Sequence, residues 1–278
     1  MNVFFMRRAN RVRPYITLFK IRFINSLQYR IAAWAGLATQ FAWGFMNLLL
    51  FHAFYTENPA NFPMTFEQFA TYTWLNQALL MLFATWTWDD SIINDITSGN
   101  IAYEIARPVD LYNMWIIKNM ATRVSKVVLR CVPVLIVAFL LPKPFGLTLP
   151  NNSITFGLFI VSAMFAFILV NTFSMFIYII AFYTININGI ILLAVGISQI
   201  LSGFVIPLQF FPEPILKVVI LLPFASMQNL PFFIYSGYWN TQEALIKIMV
   251  QFVWIIIFYI AGKLLMKKAL KKVIVQGG

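Results

Sequence analysis

One cysteine and one histidine are all that 278 residues contain of the two side chains most used for disulfides, metals and nucleophilic chemistry. Cys131 alone rules out an internal disulfide, and its place in an apolar stretch marks it as a small packing residue. His52 stands among aromatic residues with no nearby acid and no second ligand, so it reads as an interfacial hydrogen-bonding residue and not as a base or metal ligand. A GxxxxGK(S/T) phosphate loop is missing, which excludes ATP hydrolysis by that chemistry within the chain itself. Acids are scarce, nine in all, with none before Glu57. Asp89, Asp90 and Asp95 form a cluster without a second one, whereas the magnesium–diphosphate site of a membrane prenyl or lipid transferase uses several carboxylates. There is no internal repeat, no low-complexity segment and no recognisable signal core, since the basic start is long and the apolar run after it too long.

What fills the chain instead is hydrocarbon. Charged residues make up 10% and hydrophobic ones 61%, against about 25% charged in soluble domains. Long apolar runs occupy residues 31–55, 69–87, 124–141, 154–183, 189–206 and 244–265. A helix needs roughly 20 apolar residues to cross a hydrocarbon core of about 30 Å. The alternation of lipid-facing and polar residues that a closed barrel requires is absent. Backbone groups in lipid must then be satisfied within helices. The expectation is an all-α, polytopic membrane protein with six transmembrane helices, forming one compact membrane domain over residues 1–278 with no separate soluble domain of ordinary size.

The net charge of +11 is distributed by side of the membrane. Seven basic residues (Arg7, Arg8, Arg11, Arg13, Lys20, Arg22, Arg30) precede the first run, and five lysines from Lys263 to Lys272 close the last. Between the second and third runs lie Arg107 and Lys118, with Arg123, Lys126 and Arg130 entering the third. The other loops hold only Lys143 and Lys217, with Lys247 just inside the sixth run. Basic residues stay on the cytoplasmic side, so both termini and the loop after the second span are expected inside. The clusters read as anchors for anionic membrane lipid and not for nucleic acid.

Three segments stand out along the chain. Residues 1–30 suggest a basic interfacial helix starting near Pro14, with Ile16, Phe19, Phe23 and Leu27 on one stripe; a plain cytoplasmic extension of the first span is the alternative. Residues 88–118 hold five of the nine acids, with a helix stop at Gly99, a break at Pro108 and a cap at Asp110. Residues 207–240 are apolar but broken by Pro207, Pro212, Pro214, Pro223 and Pro231, the pattern of an outer re-entrant hairpin whose freed backbone groups need protein or water around them. A protected cavity or pathway near the outer face is expected beside it. Glu243 and Lys247, one turn apart, are expected to pair at the outer end of the last span. Charges within the spans are few, and Asn76, Gln77, Asn171 and Gln199 stand where an ion-coupled carrier would place acids.

The string from Asp95-Ile96-Thr97-Ser98-Gly99 through Ala106-Arg107-Pro108-Val109-Asp110, with Lys118 beyond it, resembles the coupling segment of ABC transporter permeases of the type-two exporter class. Leu201-Ser202-Gly203 through Pro207, Pro212, Leu222-Pro223-Phe224 and Pro231 is similar to that family's outer hairpin. The Arg-Pro-Val-Asp form resembles a bacterial subgroup of mostly unassigned substrate. The resemblance implies a non-catalytic permease subunit, without cofactor or metal, in a prokaryotic plasma membrane. It further implies a second permease, identical or homologous, and two copies of a separate ABC ATPase. It also implies ATPase coupling through Asp95, Gly99, Ile101, Glu104, Arg107 and Pro108, and an outer gate at Gly203, Pro207, Pro212 and Pro223. An ATP-independent secondary transporter or channel-like protein is the alternative, and a membrane prenyl or lipid transferase stands third.

Overall fold

In the computed structural model, residues 2–28, 30–184 and 186–272 are described, and they form twelve α-helices and two 3₁₀ turns with no strand among them. The side chains of Arg7, Arg8, Arg11 and Arg30, part of the expected basic segment, lie outside the described residues.

Caps fix where the long helices begin. Asn152 Oδ1 accepts from Thr155 N at 2.7 Å and opens α8 (Ser153–Ile180). Asn240 and Glu243 form a reciprocal capping box that opens α12 (Thr241–Leu270). Both helices are apolar and long enough to cross a bilayer, about 42 and 45 Å at 1.5 Å per residue. They pack along each other, with the Phe165–Phe252 and Phe173–Phe258 ring pairs in the seam. Asp110 caps α7 (Leu111–Leu140), accepting from Asn113 N at 2.9 Å. That helix therefore starts thirteen residues before the apolar run at 124, and Lys118, Arg123, Lys126 and Arg130 all belong to it.

At the amino end, α1 (Asn2–Leu27) runs through Pro14 and does not begin there. It packs along the beginning of α7, where the Asp110 amide donates to the Tyr15 hydroxyl at 3.2 Å. Its Arg22 donates to Ser91 Oγ at 2.9 Å and lies 3.8 Å from Asp89. The first apolar run is one helix, α2 (Arg30–Glu57).

The second run is not continuous. α3 (Phe66–Ala78) opens with a Thr65–Gln68 capping box, but it gives way at Leu79 to a single turn, α4 (Leu80–Phe83), and then to irregular chain up to Asp89. Each interruption frees carbonyls that a helix would have used, and buried carbonyls need donors. Gln40 Nε2 donates to Gln77 O at 3.1 Å. Arg123, with no exposed surface, donates to Ala84 O at 2.6 Å, Thr87 O at 2.7 Å and Leu82 O at 3.2 Å, and also to Ser174 Oγ on α8 at 3.1 Å. A residue read from sequence only as a basic charge entering the third span is thus a buried fastener between the broken run, α7 and α8. The scarcity of charge within the apolar helices needs the same correction, since Lys118 on α7 is buried as well.

Two short helices, α5 (Asp90–Thr97) and α6 (Ile101–Ile105), occupy the segment before α7. The fifth run yields only α9 (Asn188–Leu201), which stops short of residue 206. Its Ser198 Oγ donates to Thr85 Oγ1, 2.7 Å away in the irregular stretch. Beyond it come α10 (Glu213–Val219) and α11 (Asn229–Tyr235), and α11 packs on α8 and α3.

Replacing Arg123 by leucine leaves three carbonyls and a hydroxyl without their donor. Charged hydrogen bonds of this kind are worth about 1.5–3 kcal/mol each, so the loss should reach at least about 3 kcal/mol. Thermal unfolding of the purified protein in detergent should show a clear drop in midpoint. Arg123→Lys should recover only part of it, because one ammonium lacks the planar fork that reaches several acceptors. A leucine variant that melts with the wild type would remove Arg123 from this role.

Candidate functional site

Chemistry-bearing residues gather at two places, the segment before α7 and the hairpin after α9. The first begins where Tyr178 on α8 holds the chain: its hydroxyl accepts from the Asp89 amide at 2.8 Å. Asp89 then caps α5, accepting from Ser91 N at 3.1 Å and Ser91 Oγ at 2.5 Å. Ile92 is fully buried against Trp115 and Tyr178, and Asp95 is half-buried further along the helix. Gly99 ends the turn at φ +79°, with open space where a Cβ would stand, so conformation alone demands glycine there. The expected helix stop is in place.

The six expected coupling residues divide, two of them in α6. Ile101 and Glu104 are buried. Glu104 accepts from Trp115 Nε1 at 2.7 Å and pairs with the Lys118 ammonium, both on α7. A buried carboxylate and ammonium are expensive to desolvate and persist only with full partnership, which this pair and its indole supply. Gly99, Arg107 and Pro108 are exposed. Two exposed residues escaped the sequence reading: Tyr103 is 76% accessible, and Ile105 also faces outward. At the far side, Lys263 on α12 reaches Asp110 at 3.3 Å, and Tyr259 donates to Asn113 Oδ1 at 2.9 Å.

The hairpin is built on one asparagine. Asn229 donates its amide to Ser202 O at 3.1 Å, while its Oδ1 accepts from Leu208 N at 3.2 Å and lies 3.3 Å from the Tyr72 hydroxyl. That hydroxyl donates to Gly203 O at 2.7 Å. Gly203 sits at φ +77°, and a Cβ there would stand 2.7 Å from Asn229 Oδ1 and 2.8 Å from Tyr72 OH. No other residue fits without displacing the pair. Pro207 precedes the 3₁₀ turn Leu208–Phe210, Pro212 precedes α10, and Pro223 O accepts from Ser226 N at 3.1 Å in the turn towards α11.

Freed backbone groups of the hairpin find side chains on the long helices. Asn76 on α3 donates to Phe204 O at 3.2 Å and accepts from Gln228 Nε2 at 2.8 Å. From α12, Gln251 donates to Ser226 O at 2.7 Å and Trp254 to Leu221 O at 2.9 Å. Gln209 and Gln228 are both buried by protein, while residues 212–215, 217 and 218 are exposed. A cavity of about 390 Å³ adjoins the hairpin, lined by Phe51, Phe54, Phe62 and Phe210 with Asn58 and Asn61.

Two smaller expectations change. His52 packs its ring on Phe66 and Phe145, with centroids 5.0 and 4.9 Å away, and has no described hydrogen bond. Glu243 and Lys247 do not form an ion pair among the described residues; Glu243 completes the cap of α12, and the Lys247 ammonium lies 4.5 Å from the Trp239 ring centre.

A profile of the family described as ABC-2 family transporter protein matches residues 41–277, which takes in both sites and every helix from the body of α2 to α12. No curated protein matches the chain. Members of that family are membrane subunits of ABC transporters and generally work with an ABC ATPase. With an all-helical fold, membrane-crossing helices and a match over most of its length, the chain belongs to the ABC-2 family of transporter proteins.

Proposed function

We propose that the chain is the permease subunit of an ATP-driven exporter in a prokaryotic plasma membrane. Six spans are assigned to α2, α3–α4, α7, α8, α9 and α12, with both termini cytoplasmic and the hairpin of residues 207–240 re-entering from outside. Two such subunits, identical or homologous, would meet around the substrate path, each clasped by one of two ATPase copies. The observation that carries the reading is the construction of the segment before α7. An exposed tyrosine and isoleucine ride on two short helices whose undersides are pinned by Ile92, Ile101 and Glu104.

That construction suits a lever. An ATPase seated on Tyr103 and Ile105, beside Arg107 and Pro108, pushes on a surface with little freedom to bend. The push passes to α7 through Glu104, Lys118 and Trp115, and to α8 through Asp89 and Tyr178. Ile101 and Glu104 then act from beneath the docking surface, and Gly99 sets the angle between its two helices. The buried charges on α7 have architectural partners, so they do not favour an ion-coupled carrier.

Reporter fusions at Gly278 and Asn58 should report opposite sides of the membrane. The same side for both would end the six-span assignment, because basic residues would then fail to mark the inner face.

Co-purification tests the coupling reading. A soluble ATPase should copurify with the wild-type chain, and Tyr103→Ala should weaken its capture about tenfold or more, as truncation of an exposed aromatic anchor does. The melting midpoint of the permease should not move. Glu104→Gln should behave in the opposite manner, lowering stability by about 3 kcal/mol because the Lys118 charge is left buried and unpaired. Adding Lys118→Met should recover most of that loss. If no ATPase is captured, or if Tyr103→Ala binds it as the wild type does, this segment is not the docking site.

A further inference from the structure

Between α1 and the chain entering α7 lies a groove of about 560 Å³, within the range of pockets that enclose small organic ligands. Its floor is apolar, formed by Leu18 and Ile21 of α1 with Val109 and Met114. Two guanidiniums, Arg13 and Arg107, line it from opposite walls. Neither guanidinium has a hydrogen-bond or ion-pair partner among the described residues, and no acid lines the groove. The nearest acids in sequence are engaged elsewhere, Glu104 with Lys118 and Asp110 with Lys263 and the cap of α7.

The charge is also ordered along the groove. On one wall the chain passes from Arg13 to Leu18 and Ile21 and then into α2. On the other it passes from Arg107 to Val109 and Met114 and then up α7. Both walls are therefore basic at the end remote from the spans and apolar towards them. A free anion would use only the first half of such a site, and an uncharged apolar molecule only the second. An anionic diacyl lipid of the inner leaflet matches both. Exposed Val12, Ile16 and Ile24, with Lys20 among them, extend α1 as a surface that mixes apolar and basic groups beside the groove.

We propose that this groove is a binding site for one anionic phospholipid of the inner leaflet. The Arg13 and Arg107 guanidiniums hold the phosphate, and an acyl chain lies on Leu18, Ile21 and Met114. The placement rests on the membrane orientation given under Proposed function, while the chemistry of the groove does not depend on an ATPase. Since Arg107 and Pro108 belong both to the groove and to the exposed coupling segment, the lipid would brace that segment against α1. The Tyr103 face remains open to a protein partner.

The test uses the purified full-length chain without ATPase, so its outcome is separate from that of the exporter reading. The chain is exchanged into mixed micelles of phosphatidylcholine with phosphatidylglycerol as the minor lipid, and retained lipid is measured by native mass spectrometry. One phosphatidylglycerol per subunit should be retained in preference to phosphatidylcholine. The double variant Arg13→Gln/Arg107→Gln should lower its affinity about thirtyfold, two basic contacts at a membrane surface being worth about fivefold each or slightly more. Lys217→Gln, on α10 and away from the groove, should leave it unchanged. Thr17→Trp, which fills the groove while keeping both arginines, should expel the lipid as well, so a misfolded double variant does not decide the matter. Excess inorganic phosphate should not displace it. Equal retention of phosphatidylcholine, an unaltered double variant or displacement by phosphate would each overturn the assignment. A captured protein in place of lipid would do the same.

Discussion

The Arg123 guanidinium is the constraint around which the half of the molecule holding the segment before α7 is arranged. The chain leaves helical geometry after Phe83 in a buried setting, and the carbonyls of Leu82, Ala84 and Thr87 take their side-chain donor from it. Burying a lone guanidinium is costly by several kcal/mol. Burying exposed carbonyls is costly too. Each problem is the other's solution, and the four hydrogen bonds between them fix α4, α7 and α8 as one body. Without that exchange neither the break nor the charge would survive in an apolar setting.

The same logic governs the outer end. Proline and glycine free the backbone from Ser202 to Asn229, and polar residues of neighbouring helices satisfy it: Tyr72 and Asn76 of α3, Gln251 and Trp254 of α12. Polar side chains in apolar helices are thus explained one by one through the carbonyl or amide each serves. The second apolar run is engaged at both ends, its α3 part by the hairpin and its lower part by Arg123. The segment before α7 and the hairpin after α9 are therefore joined through a single stretch of chain, residues 66–89.

Several of these features were legible in the sequence, because their signals are local. The capping role of Asp110, the stop at Gly99 and the extents of α8 and α12 follow from side-chain chemistry within a few residues. The break at Leu79 was not legible, since Ala78-Leu79-Leu80 contains no breaker and the compensating donor lies on another helix. The burial of Arg123 was not legible either: charge counts tell which side of a membrane a residue stands on, and say nothing of what a helix packs it against. Glu104 lies in a helix of five residues, too few for periodicity to fix which face lies inward. The Asn229–Gly203–Tyr72 junction joins three distant parts of the chain, which no local pattern encodes.

These constraints also bear on how the molecule could change shape. Opening the hairpin on its own would break the Tyr72, Asn76, Gln251 and Trp254 hydrogen bonds together, and those at Gly203 and Ser226 would leave buried backbone groups without these donors. Such groups cost about 1–3 kcal/mol apiece. Bending the inner segment away from α7 would likewise separate Glu104 from Lys118 in a buried setting. Moving the whole helical body against another subunit breaks none of these bonds. Interfaces between packed bodies rearrange by rotation or by small sliding steps far more cheaply than cores deform. Movement of α3, α7 and α8 together, carrying the closed hairpin with them, is therefore the change of shape these hydrogen bonds resist least.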